Sequence, residues 1–218
     1  MTQIFHRSAN TLTILALAGV VAALAGVCLA LYMTTWSNYK TGVGIDVQQP
    51  VPFSHRHHVR GAGLDCRYCH GGVETSAFAG IPPTHTCMTC HSQLFANSPV
   101  LKPVRDSFQN KIALQWNRVQ RLPDFVYFAH DIHVGKGVGC STCHGHVETM
   151  PLMREQNAFH MRDCLDCHRE PERYLRPRDQ VFNMSWEPPA DQLAKGRELV
   201  REYGLQRAIL TNCSTCHR

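Results

Sequence analysis

Ten of the eleven cysteines stand in five C-x-x-C pairs, and every pair is followed at once by histidine: "CRYCH", "CMTCH", "CSTCH", "CLDCH" and "CSTCH". The members are Cys66, Cys69 and His70; Cys87, Cys90 and His91; Cys140, Cys143 and His144; Cys164, Cys167 and His168; and Cys213, Cys216 and His217. Two thiols at this spacing can each add to one vinyl group of the same porphyrin. The adjoining imidazole then lies under the iron as an axial ligand, so the pattern predicts covalent haem c. Random placement of 11 cysteines and 14 histidines in 218 residues gives about 0.03 such motifs. Zinc sites of four cysteines divide badly into five pairs and give no reason for the histidines. Disulfides across two residues make strained rings, better suited to redox exchange than to structure.

Five haems between Cys66 and His217 amount to about one per 30 residues. That density explains how a chain only 44% hydrophobic, with much of its apolar stock in one N-terminal run, can have an interior at all: the porphyrins supply the apolar mass. The expected fold is a multihaem cytochrome c, mostly irregular, with short α-helices wrapped around five haems and one N-terminal transmembrane helix. The formal charge of +5 is no argument for nucleic acid. Ten propionates and five ferric irons bring it to about zero, and full reduction brings it to about −5, which couples electron uptake to protons.

The chain is internally duplicated. "FSHRHHVRGAGLDCRYCHGGVETSAFAGIPPTHTCMTCHS" and "FAHDIHVGKGVGCSTCHGHVETMPLMREQNAFHMRDCLDCHR" share F-x-H-x-x-H-V, a glycine-bearing spacer, C-x-x-C-H-G-x-V-E-T and a second C-x-x-C-H. Each iron with its motif histidine lacks one ligand, so the two imidazoles of an H-x-x-H pair must serve two different irons. His55 and His58 are expected as distal ligands of two haems, and His130 and His133 of two more. His57 faces Ile132 in the second copy, so the repeat needs no ligand there. For the fifth distal position the candidates are His85, His146, His160, Met150, Met153, Met161 and Met184. Met150 is preferred, because it places a sulfur in "VETM" where the first copy has "VETS".

From Ser8 to Tyr39 there is no charged residue, and residues 11–33 would make a helix of about 35 Å, enough to cross a hydrocarbon core of about 30 Å. The run is longer than the apolar region of a cleaved signal peptide, so an uncleaved anchor is expected, with Cys28 as a buried apolar residue within it. Arg7 and the amino group before the helix, and Tyr32, Trp36 and Tyr39 after it, put the N-terminus in the cytoplasm and everything beyond about residue 40 outside. Gly19/Ala23 and Ala22/Gly26 offer a small-residue face to another membrane helix.

The expected organisation is a cytoplasmic N-terminus and anchor (1–33), an extended tether (34–52), a first dihaem module (53–92), a connecting arm (93–127), a second dihaem module (128–169) and a C-terminal segment with the fifth haem (170–218). Pro103, Pro123 and alternating apolar residues predict an irregular or strand-containing arm. A helix is expected over Asp191 to Tyr203, after Pro188 and Pro189. Beyond the fifth motif only Arg218 remains.

Such modules resemble the multihaem cytochrome c₃/c₇ type. The wider pattern of one anchor, "WNRVQRLPDFVYFAHDIHV", "CLDCHREPERYLRPRD" and a terminal "NCSTCHR" resembles the pentahaem cytochrome subunit of bacterial alternative complex III over essentially the whole chain. That resemblance implies a quinol:electron-acceptor oxidoreductase whose periplasmic-side subunit relays electrons, with no catalytic site of its own. It implies an iron-sulfur subunit, multispanning membrane subunits and a monohaem cytochrome or terminal oxidase as partners. Two alternatives remain beside it. One is a quinol dehydrogenase of the nitrite or nitrate reductase type, against which stand the roughly 32 residues between Met33 and Cys66. The other is a catalytic multihaem reductase, which would need an open distal position, often with lysine replacing a motif histidine.

Overall fold

A computed structural model describes residues 4–217. Arg218 and the terminal amino group invoked for orientation lie outside the described residues. The chain divides into two compact units, one ending at Val43 and the other beginning at Gly44.

The first unit is dominated by α1, Ala9–Thr35, 27 residues with neither acidic residues in its first turn nor basic ones in its last. Leucine, valine and alanine all round make it apolar on every face, and none of its side chains is buried by the chain. Cys28 is not covered by the chain itself, so its burial would fall to the membrane. Such a helix is long and apolar enough to cross a membrane. After it come a short α2, Asn38–Thr41, and Gly42 in the left-handed conformation that ends it.

The second unit is helical, with no strand among the described residues; two isolated bridges join Asp46 to Arg154 and Val138 to Leu175. Its helices are short because the chain is punctuated by glycine, proline and the motifs themselves. The H-x-x-H of the first module opens a π-helical turn, Arg56–Gly61, and that of the second opens α6, His130–Gly135. The five motifs fall on α3 (Cys66–Cys69), α4 (Thr84–His91), α7 (Cys140–His144), α8 (Met161–Arg169) and α11 (Cys213–Cys216). The remaining helices are α5 (Lys102–Asn110), α9 (Gln192–Glu202) and α10 (Arg207–Leu210).

The arm is irregular over residues 112–127, as expected, and it contains α5 rather than a strand. Pro103 sits in the first turn of that helix, where its missing N–H has no intrahelical partner to lose. The tether is also not free along its length, since Gly44 N–H donates to Glu155 and Val47 N–H to Met153.

Nine apolar side chains are buried among the described residues: Val51, Val73, Val104, Met150, Leu175, Val181, Met184, Val200 and Tyr203. For a unit of this size that is too little apolar burial to offset the entropy of ordering the chain. The best-packed part is the C-terminal segment, where α9 lies against the turn Pro171–Arg173. A Cβ on Gly196 would come 1.9 Å from the carbonyl oxygen of Glu172. The Glu172 carboxylate meets Arg207 at 2.7 Å, and the Gln192 side chain donates to the carbonyls of Glu172 and Leu175. Gly196→Val is expected to push α9 off this turn and to lower stability by about 2 kcal/mol or more, read as a drop in the thermal midpoint of the holoprotein.

Candidate haem sites

Each motif sits on a helical turn, and this follows from the chemistry it serves. Residues i and i+3 of a helix lie on one face, so both cysteine sulfurs point the same way. Asp65 caps α3 by accepting the Arg67 N–H at 2.8 Å and pairs with the same guanidinium.

The imidazoles are paired across the fold. His58 faces His91 with ring centroids 6.1 Å apart, His130 faces His144 at 6.3 Å, and His133 faces His168 at 6.2 Å. These separations have a physical meaning. Two metal–imidazole bonds of about 2.0–2.1 Å, plus about 1.15 Å from nitrogen to ring centre on each side, span about 6.4 Å. A gap of this size has room for one iron between two rings. The His130/His144 planes differ by 6° and the His133/His168 planes by 22°, whereas those of His58 and His91 are 68° apart.

Most of the rings are held in one tautomer. The Nδ1 of His70 donates to the carbonyl of Gly80 (2.7 Å), that of His91 to Leu94 (3.0 Å), that of His168 to Leu210 (2.8 Å) and that of His217 to Phe125 (3.1 Å). His58 donates to Ser54 and His133 to Ala129, both at 2.8 Å, and His130 to Ala77 at 2.9 Å. A carbonyl only accepts, so Nδ1 carries the proton and Nε2 keeps its lone pair for a metal. His55 and His144 have buried Nδ1 atoms with no hydrogen-bond partner.

The duplication extends to geometry. Phe53 stacks on His58 at 4.3 Å and meets His55 edge-on at 5.0 Å; Phe128 stacks on His133 at 4.4 Å and meets His130 edge-on at 4.8 Å. The phenylalanine that opens each repeat thus orients both imidazoles of its H-x-x-H pair. The sequence displayed this residue in both copies but offered no reason for it.

Burial, reinforced by His70 and His58, lowers the pKa of His55 to about 4. Burial, reinforced by His130, His70 and His55, lowers that of His144 to about 4. Burial also lowers His133. These rings stay neutral near neutral pH, the form a metal requires. Between pH 6.5 and 4 the unfolded rings take up protons that the folded rings refuse, so stability falls as the pH drops through that window. The thermal midpoint of the holoprotein is accordingly expected to fall as the pH is lowered from 6.5 towards 4, and a midpoint that rises over that range would contradict the burial of these rings.

The cysteines lie close to one another across motifs. The neighbouring Cys140 thiol lowers Cys66 to about 7, and the Cys66 thiol and burial raise Cys140. Burial raises Cys69, Cys87, Cys143 and Cys164, and pushes Cys167 up to about 12. Among the described residues no group of three or more His, Cys, Asp or Glu side chains is arranged to hold a bare metal ion. The donor set suits a macrocycle fixed by two thioethers and capped by two imidazoles.

The candidates for the fifth distal ligand are scattered. His85 and His146 are exposed, and His146 pairs with Glu148 at 3.1 Å. The His160 N–H is capped by Asp163 at 2.9 Å, Met161 is exposed, and Met153 is engaged through its carbonyl with Val47. Met184 is buried. Met150 is 2% exposed, and its carbonyl accepts the Arg56 N–H, which places it over the first module's H-x-x-H turn. His57 is exposed.

Residues 126–218 match the family model described as cytochrome c7 and related cytochrome c. Over 127 residues the chain is 32% identical to the menaquinone reductase multihaem cytochrome c subunit of Nitratidesulfovibrio vulgaris (Hildenborough), a match covering 58% of this chain and 59% of that protein. The match thus spans about three fifths of the relative's length.

Proposed function

We propose that this multihaem c-type cytochrome, with its cytochrome c7-like region over residues 126–218, is the membrane-anchored pentahaem electron relay of a quinone-linked respiratory complex. The observation that carries the reading is the set of three imidazole pairs at 6.1–6.3 Å. Rings at that separation would close both axial positions of the second, third and fourth haems, which suits outer-sphere electron transfer.

In this reading the ten motif cysteines fix the porphyrins and His70, His91, His144, His168 and His217 are proximal ligands. His55, His58, His130 and His133 are distal, with Met150 retained for the fifth. Haem supplies one-electron exchange at iron. The protein contributes fixed tautomers through the Nδ1–carbonyl bonds, neutral imidazoles through burial, and rigid ring planes through Phe53 and Phe128. Because both axial ligands stay in place, little reorganisation accompanies each change of oxidation state.

In this reading α1 is an inner-membrane anchor with the N-terminus in the cytoplasm and the haem unit on the outer side, supported by Arg7 before the helix and Tyr32, Trp36 and Tyr39 after it. Partners of the alternative complex III type fit this arrangement: an iron-sulfur subunit, multispanning membrane subunits, and a monohaem cytochrome or terminal oxidase. In that setting electrons run from quinol outward. The likeness to a menaquinone reductase subunit favours a second reading, in which the same relay delivers electrons to the quinone. Purification through the anchor in mild detergent tests both. Co-purifying membrane and iron-sulfur subunits, with haem reduction by quinol only in the intact complex, support the relay with outward flow. Haem oxidation by menaquinone in that complex supports the reverse flow, and reduction of the lone subunit by quinol sinks both in favour of a quinol dehydrogenase.

A further inference from the structure

We propose that the five haem sites form one unbranched row in the order second, first, third, fourth and fifth motif, so that electrons enter and leave at the second-motif and fifth-motif haems. The inference rests on the pentahaem reading above. It departs from chain order, in which the first motif would be an end and the second an interior member.

The second and first motifs meet through their variable residues, Tyr68 bonding Thr89 at 2.8 Å. They also share a helical turn, since His58 faces His91 while His55 sits one turn earlier on the same π-helical segment. Two strands of contact tie the first and third motifs. The Arg67 guanidinium lies 4.4 Å over the Phe182 ring, next to Val181, whose carbonyl accepts the Cys140 N–H. The loop after the first motif holds the third site's distal histidine, because Ala77 accepts both the ring and the main-chain N–H of His130.

The third and fourth motifs are joined by α6, which presents His130 to His144 and His133 to His168 from successive positions of one helix. The fourth and fifth are joined where the His168 ring donates to Leu210, three residues before the fifth motif. By these contacts the second and fifth motifs each have one neighbour, and the first, third and fourth have two. Each transfer along such a row reduces one iron as it oxidises the next, with no bond made or broken; a quinone/quinol couple and a one-electron cytochrome supply the two ends.

The duplication gives the row a physical rationale. Each H-x-x-H turn bridges the two haems of its own module, so the modules can join only through one haem of each. The joint uses the first haem of both copies, which leaves the second motif outermost on one side and the fourth facing the added fifth haem.

Iron positions from anomalous diffraction of the holoprotein test this directly, with each iron assigned by its motif. The expected nearest-neighbour sequence is second, first, third, fourth, fifth. Any map in which the second-motif iron adjoins the third, or the first-motif iron is terminal, overturns it. Distal ligand swaps give an independent readout, because a methionine ligand raises the potential of its own haem. His58→Met should shift the midpoint of one neighbouring haem and His130→Met the midpoints of two; two for His58→Met or one for His130→Met contradicts the order. Five irons in another sequence would overturn the order alone, whereas fewer than five irons per chain would overturn the pentahaem reading as well.

Discussion

His130→Ala is expected to convert one haem of five from low-spin to high-spin, so that roughly one fifth of the low-spin intensity is lost and one ferrous haem per chain binds carbon monoxide. The ring it removes is the one held parallel to His144, at 6.3 Å and 6°. Its tautomer is fixed from another loop, by the Ala77 carbonyl. The three pairs should also be distinguishable by electron paramagnetic resonance. Near-perpendicular planes leave the two iron orbitals that bond to the imidazoles almost degenerate and give a strongly anisotropic signal, whereas near-parallel planes give an ordinary rhombic one. His58→Ala should therefore abolish a highly anisotropic signal, because its plane is turned 68° from that of His91. His130→Ala and His133→Ala should each abolish a rhombic one. His57→Ala should leave all five signals in place, its ring being exposed. A rhombic signal lost in His58→Ala would contradict the pairing.

The double substitution Cys140→Ser and Cys143→Ser should do more, and to the fold itself. Without thioethers the third haem is held by two imidazoles alone, and its loss empties the centre of the unit. A porphyrin, larger than two aromatic side chains, buries on the order of 400 Å² of apolar surface, or about 10 kcal/mol at about 25 cal/mol per Å². The whole stability of a domain is about 5–15 kcal/mol. With nine buried apolar side chains elsewhere among the described residues, nothing can compensate. The variant is expected to fail to accumulate as a compact protein, or to unfold at least 10 °C earlier, with loss of near-ultraviolet circular dichroism. The same substitutions at Cys213 and Cys216, where Cys213 is exposed while Cys140 and Cys143 are half-buried, should lose one haem and leave the other four folded.

Part of the fold is legible in the sequence. The five motifs, the repeat and the apolar N-terminal run are written in the chain because thioether attachment and membrane crossing each demand residue types at fixed spacing. The H-x-x-H logic that two rings must serve two irons also follows from counting ligands. What spacing could not say is which ring meets which motif: the His58–His91 and His133–His168 pairings run from each H-x-x-H to the second motif of its copy, and only packing decides that. α5 was not legible because Pro103 looks like a breaker in sequence and is in fact a tolerated first-turn residue of that helix. The Phe53 and Phe128 stacks went unnoticed because a phenylalanine before histidine carries no signal until the rings are seen face to face.

The central claim is five covalent haems in one chain, held in facing axial pairs. Intact-mass spectrometry of the denatured holoprotein, with iron and pyridine haemochrome assays on the same sample, tests it most directly. The account predicts a chain heavier than its sequence by five haem groups, none extracted by acid acetone, with five irons per chain. A chain of unmodified mass, or one carrying zinc in place of iron, would contradict it.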